Sequence, residues 1–194
     1  MLGITGSPGS GKTTLAIDVV ARINAILQAD AAVHLPMDGF HLANATLDSL
    51  GLHDRKGAID TFDAWGFIAL LRRLPHELDT PVYAPSFDRN VDEPIAGAIT
   101  ISPKTRVVVV EGNYLLAEPQ PWSEIKPLLA EVWFCSTPVP ERLARLIDRH
   151  TRHGRTPDAA RAWAETVDGA NALLIEAAAW RADLTVSGVT RAIL

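Results

Sequence analysis

Apolar positions along this chain follow two alternating rhythms, one of strand length and one of helix length. Met1 to Thr5 is a short apolar run, and after a glycine-rich stretch Leu15, Ile17, Val19, Val20, Ile23, Ile26 and Leu27 recur over a helical length. Ala31-Ala32-Val33-His34-Leu35-Pro36 predicts a second strand. Ala64 to Leu74 predicts a helix that either Thr61 or Asp63 would cap. Arg106 to Val110 is an unbroken β-branched run, the pattern of a strand covered on both faces in a parallel sheet. Glu131 to Cys135 predicts another strand, and Pro138 to His153 and Asp158 to Trp180 predict two helices separated by Gly154 and Pro157. Leu184 to Val186 and Val189 to Leu194 supply closing strands, or a strand and a loop. Between residues 75 and 105 the rhythm fails. Short alternating pieces between Pro81, Pro85 and Pro94 predict a small β excursion, a surface hairpin or a long substrate loop outside the main sheet. Strands alternating with helices in this order predict an α/β fold around a central parallel sheet.

The glycine-rich stretch changes the picture most. Gly6-Ser7-Pro8-Gly9-Ser10-Gly11-Lys12-Thr13, followed by Thr14, fits the G-x-x-x-x-G-K-[ST] pattern at every fixed position, between a strand and a helix. Such a loop turns backbone N–H groups inward around phosphate, and the following helix adds the positive end of its dipole. Lys12 would reach the outer phosphates, and the Thr13 hydroxyl would hold Mg²⁺. Two acids stand at strand ends, on the rim where open parallel sheets bind ligands. Asp38 follows the second strand, whose end is expected beside that of the first. Glu111 follows the valine run and reads as a metal-binding acid, acting directly or through water, or as a salt-bridged carboxylate. Arg145, Arg149 and Arg152 share one helical face. That face is either a solvated basic surface or a lid bringing guanidinium charge onto a transferred group, mobile until an anion arrives.

Composition narrows the partner. At 194 residues the chain is expected to be a single domain, with the substrate loop at about residues 75–105 and the lid at about 145–157. A net charge of −5 gives no general attraction to nucleic acid, so a small molecule is favoured. No run approaches the length needed to span a bilayer, and Cys135 is the only cysteine, so no intramolecular disulfide forms. A cytoplasmic protein without a membrane partner is expected.

Taken in order, these residues resemble the pantothenate kinase, uridine kinase and phosphoribulokinase group of P-loop kinases. Asp38-Gly39-Phe40, Lys56-Gly57, Phe62-Asp63, Pro81-Val82-Tyr83, Glu111-Gly112 and Asn171 have counterparts in bacterial pantothenate kinase. The resemblance implies a three-layer, adenylate-kinase-like P-loop NTPase fold with a central parallel sheet and a helical, arginine-bearing lid. It implies ATP and Mg²⁺ as cosubstrates and transfer of the γ-phosphoryl group to a hydroxyl of a sugar, nucleoside or pantothenate-like acceptor. By the same resemblance Gly6 to Thr14 hold nucleotide, and Thr13 and Glu111 serve the metal. Asp38 would be the base, assisted by Lys12, Arg149 and Arg152. His41, Tyr83, Arg89, Tyr114 and Asn171 would line the acceptor site, and the chain could pair as a homodimer. Pantothenate kinases carry a histidine two residues past the tyrosine, where this chain has Pro85. His41, Pro85, Phe87, Asp88, Arg89 and Asn113 look closer to uridine-kinase-like proteins described as sugar or fructose-transport kinases. A nucleotide-dependent switch or chaperone is the competing class, and no Asn-Lys-x-Asp guanine motif supports it.

Overall fold

The computed structural model describes residues 1–194. Strands β1 (Leu2–Thr5), β2 (Ala32–Pro36), β5 (Val107–Glu111), β6 (Glu131–Ser136) and β7 (Leu184–Ser187) form one sheet in the order β2-β5-β1-β6-β7. Every neighbouring pair is parallel. The valine run therefore lies between β1 and β2, which the sequence predicts side by side and which are not neighbours. Four consecutive valines suit an inner position, where both faces are covered and no polar alternation is needed.

Side-chain alternation splits these strands between two cores. Val108, Val110, Val132 and Phe134 face a large cluster with Phe67, Ile68 and Leu71 of α3 (Ala64–Arg73) and Ile175 of α5 (Pro157–Ala177). Val109 and Cys135 face the opposite way, onto Leu15 and Ala16 of α1 (Lys12–Leu27). Helices thus cover both faces, giving the three layers that the resemblance implies. Burial among apolar neighbours pushes the Cys135 thiol up. The far end of α1 is fastened to β2 by Asn24, whose Oδ1 accepts from Ala31 N (2.9 Å) and Ala32 N (2.7 Å).

The irregular region forms an antiparallel hairpin apart from the main sheet, made of β3 (Val82–Asp88) and β4 (Glu93–Ile101). Its register slips between Ala84 and Ser86, at Pro85, which has no N–H to give the ladder. The hairpin lies against the short 3-10 turn Met37–Phe40 that carries Asp38. That close approach requires Gly39, because a Cβ there would collide with the Pro85 carbonyl. A seven-residue helix, α2 (Asn44–Leu50), occupies the stretch after this turn. Asp63 rather than Thr61 caps α3, accepting from Gly66 N at 2.8 Å. The last helices are α4 (Val139–Arg152) and α5, and residues 189–194 make only an isolated bridge, Ile193 to Val186, instead of a strand.

Candidate active site

Parallel register brings three strand ends to one rim. Glu111 pairs with Ile4 on one side and Pro36 on the other, so the phosphate loop after β1, the Asp38 turn after β2 and Glu111 itself are neighbours. The loop is fixed from below. Ser10 O accepts from Thr137 Oγ1 at 2.8 Å, and Arg145 Nη1 lies 3.3 Å from both Gly9 O and Ser10 O. A trans peptide points its N–H opposite its C=O, so the pinned Ser10 carbonyl sends the Gly11 amide toward the loop mouth. At Gly9 the backbone adopts φ +77°, and a Cβ would come within 2.7 Å of Arg142 O. Only glycine lets α4 sit this close to the loop.

Glu111 is 4% exposed and carries its charge among compensating groups. Lys12 Nζ stands 3.9 Å from Oε1, Thr13 Oγ1 donates to Oε2 at 3.2 Å, and His34 Nε2 is 3.4 Å from the same oxygen. A hydroxyl and a carboxylate converging beside a phosphate loop are hard oxygen donors of the kind Mg²⁺ takes, so the residues present fit that ion.

A cavity of about 790 Å³ opens from this rim. Pro8, Lys12 and Thr13 line one part of it; Asp38, His41, Phe87 and Arg89 another; Arg149, Asp168 and Asn171 the helical side. Asp38 meets Arg89 Nη2 at 3.3 Å, with about a third of the carboxylate side chain still accessible. His41 lies between Phe62 and Phe87, with ring centroids 4.0 and 4.7 Å away. Its Nδ1 is 2.8 Å from the Asp38 carbonyl oxygen, which can only accept, so Nδ1 carries the hydrogen and Nε2 is left bare. Burial lowers the His41 pKa and outweighs the opposing pull of Asp38, so the ring is neutral at pH 7. Arg149 stands 4.0 Å from Asp168, which also takes a 2.7 Å contact from His150 Nε2. Burial pulls the Arg149 pKa down while Asp168 opposes it.

The structure brings Lys12, Thr13, Asp38, His41, Arg89, Arg149 and Asn171 to one cavity. Of the expected catalytic and acceptor residues, three lie outside it. Tyr83 is 61% exposed, because Val82 and Ala84 take the inward positions of β3 and strand alternation turns Tyr83 out. Tyr114 is fully buried, packed edge-on to Phe62 and Trp122, with its hydroxyl donating to Gly57 O at 2.8 Å. Arg152 points to solvent and pairs with Asp148 on its own helix. Arg145, Arg149 and Arg152 span two turns, about 10 Å of axis, too far to converge on one phosphate. Asp168, His150 and Trp163 line the cavity without having been anticipated. For Asp168 there was a signal. Ala160, Ala164 and Ala172 recur at four-residue spacing on the buried stripe of α5, and a lone Asp stands at the missing step.

No family model matches the chain. A curated Aspergillus versicolor protein, "ATP-dependent kinase-like protein notR'", is 40% identical over 133 residues, covering 65% of this chain and 77% of that protein. The chain belongs to the uridine-kinase-like group of P-loop kinases. A Schizosaccharomyces pombe relative, "Putative uridine kinase C227.14", is 38% identical over 128 residues, 64% of this chain, and the match spans only 54% of that protein. Among solved structures, that of a "putative fructose transport system kinase" from Silicibacter sp. TM1040 superposes on the kinase with a TM-score of 0.87. It is 42% identical and covers 95% of this chain and 87% of that one. No helix of the kinase is long and apolar enough to cross a membrane.

Proposed function

We propose that the kinase uses ATP and Mg²⁺ to phosphorylate a hydroxyl of a small polar molecule, with Asp38 as the base. One observation carries this reading: the phosphate loop and Asp38 line the same cavity, so a γ-phosphate held at Lys12 and an acceptor hydroxyl at Asp38 share one space. The acceptor oxygen forms a bond to the γ-phosphorus as the bond to the β-bridging oxygen breaks, leaving its electron pair on ADP. The hydroxyl proton passes to the Asp38 carboxylate. In a loose transition state that carboxylate mainly orients the hydroxyl and takes its proton late. Thr13 and Glu111 would hold the metal, which when bound offsets phosphate charge. Arg149, kept at the cavity wall by Asp168, supplies a guanidinium to the transferred group.

The cavity wall is mostly polar, with arginines, amides and imidazoles, which suits an acceptor carrying several hydroxyls. Pro85 argues against pantothenate, since that residue gives the acceptor no side-chain donor and packs its backbone on Gly39. The test is ADP release across a panel of sugars, nucleosides and pantothenate, repeated with Asp38→Asn. The variant should keep ATP affinity and lose about 10²- to 10⁴-fold in transfer. Normal transfer per folded molecule would remove Asp38 from the reaction.

A further inference from the structure

Ser7, the second residue of the phosphate loop, is completely buried, and its hydroxyl is engaged by a helix 169 positions away. Ser7 Oγ donates to Glu176 Oε1 at 2.5 Å. The same carboxylate oxygen lies 3.9 Å from Arg142 Nη2, and the Arg142 side chain is almost wholly buried. Two helical turns toward the C-terminal end of α4 and the N-terminal end of α5, Asp168 meets Arg149 in the same way. Antiparallel α4 and α5 are therefore registered by two acid–arginine rungs. The first of these also reaches the loop, where Arg142 O already packs against Gly9.

We propose that Glu176 is a positioning residue for nucleotide binding, joining the phosphate loop to the α4–α5 pair. By accepting from Ser7, the carboxylate holds the first half of the loop in its cradle shape before nucleotide arrives. Arg142 offsets the cost of a negative group so close to a site built for phosphate. Without this tie the loop would have to be ordered at the moment of binding, which appears as weaker nucleotide affinity with little change in the chemical step. The sequence gives no hint of the pairing, because Glu176 sits in an ordinary polar position of α5.

The inference rests on the reading of Gly6 to Thr13 as the ATP site, and one set of variants separates the two. Direct ATP binding, KM for ATP, kcat and melting temperature are measured for wild type, Glu176→Ala, Glu176→Gln, Ser7→Ala and the Ser7→Ala/Glu176→Ala double variant. Glu176→Ala and Ser7→Ala should each raise the ATP Kd and KM about tenfold with kcat near wild type. Glu176→Gln keeps an acceptor oxygen and should stay close to wild type. The double variant should be no worse than Glu176→Ala alone, because that change already removes the Ser7 hydroxyl's partner. Additive losses in the double variant, or a Glu176→Ala protein that melts earlier but binds ATP normally per folded molecule, would overturn the proposal. A wild-type protein that does not bind ATP would overturn both the proposal and the assignment of the site.

Discussion

Lys12 and Asp38 stand at different parts of one cavity and should fail differently when changed. In the proposed reaction Lys12 would face the phosphates, and its loss would remove a preorganised charge worth on the order of 3 kcal/mol in the barrier. Thr13 and His34 stay beside Glu111 when Lys12 is gone, so the buried carboxylate keeps neighbours and the fold should persist. Lys12→Ala is therefore expected to cut kcat/KM by about 10²-fold while the melting curve shifts little. A variant with wild-type transfer rates would remove Lys12 from catalysis. His41 makes a prediction in pH. The folded ring has its pKa lowered by burial, whereas the unfolded ring titrates near the ordinary 6.5. Above that pH both forms are neutral and the effect vanishes. Below it the unfolded chain takes the proton first, so stability falls as pH drops from 6.5 through the lower folded value. Asp38 and Asp92, which favour the charged ring, and Lys56, which opposes it, are the charged neighbours, and they do not reverse the sign. The melting temperature should drop more steeply between pH 7.5 and 5.5 in wild type than in His41→Asn; parallel curves would show that His41 does not titrate as its burial requires. At this scale the sequence placed Lys12, Thr13, Asp38 and Glu111 beside the sheet's rim because strand ends and loop spacing are local signals. Tyr83 and Tyr114 escaped it, since which face of a strand or loop turns inward is settled by partners far along the chain.

Element boundaries show the same division between local and distant causes. The cap of α3 is local: Asp63 accepts from Gly66 N three residues on, and a sequence can announce that arrangement. Asp63→Ala should cost about 1 kcal/mol, seen as a lower urea midpoint with an unchanged slope. No shift in the midpoint would mean that water serves the freed N–H equally well. The start of α2 is the opposite case. Ala43 offers no polar side chain to cap it, and Asn44 N is instead served by the Glu93 carboxylate from β4, at 3.0 and 3.2 Å. Lys56 strengthens the same junction, reaching Asn44 Oδ1 at 2.6 Å and the Asp92 carboxylate at 2.8 Å. A helix whose cap comes from 49 residues away has no signature of its own, and α2 could not be read from its seven residues. The hairpin was legible as an interruption because its prolines forbid both helix and central strand. Its seat on Gly39 depends on a close approach that only the folded chain reveals.

At the scale of the whole molecule, the arginine-rich helix decides how closure over a ligand would work. Spacing alone left two readings open, a solvated basic surface or a lid that moves until an anion arrives. Each guanidinium instead has a resting partner, and the partners differ along α4. Near its start Arg142 faces Glu176 and Arg145 lies within hydrogen-bond reach of three carbonyls, Gly9, Ser10 and Gly188, so this half is tied to the phosphate loop. Near its end Arg149 has only a 4.0 Å approach to Asp168, and Arg155 lies 3.9 Å from the Trp163 ring beyond Gly154, whose φ is +94°. A long ion pair and a partly exposed cation–π contact are each worth about 1 kcal/mol or less, so an arriving phosphate can take those arginines at small cost. The first half of α4 has no such freedom without disturbing the loop. Closure should therefore be a bend near Gly154 and not a swing of the entire helix. An ATP analogue is expected to slow amide hydrogen exchange over residues 149–157 while residues 139–146 stay as protected as they already were. Equal exchange with and without nucleotide across 149–157 would make the segment a static basic face. A uniform rise in protection from 139 to 157 would instead mean that α4 moves as one rigid piece.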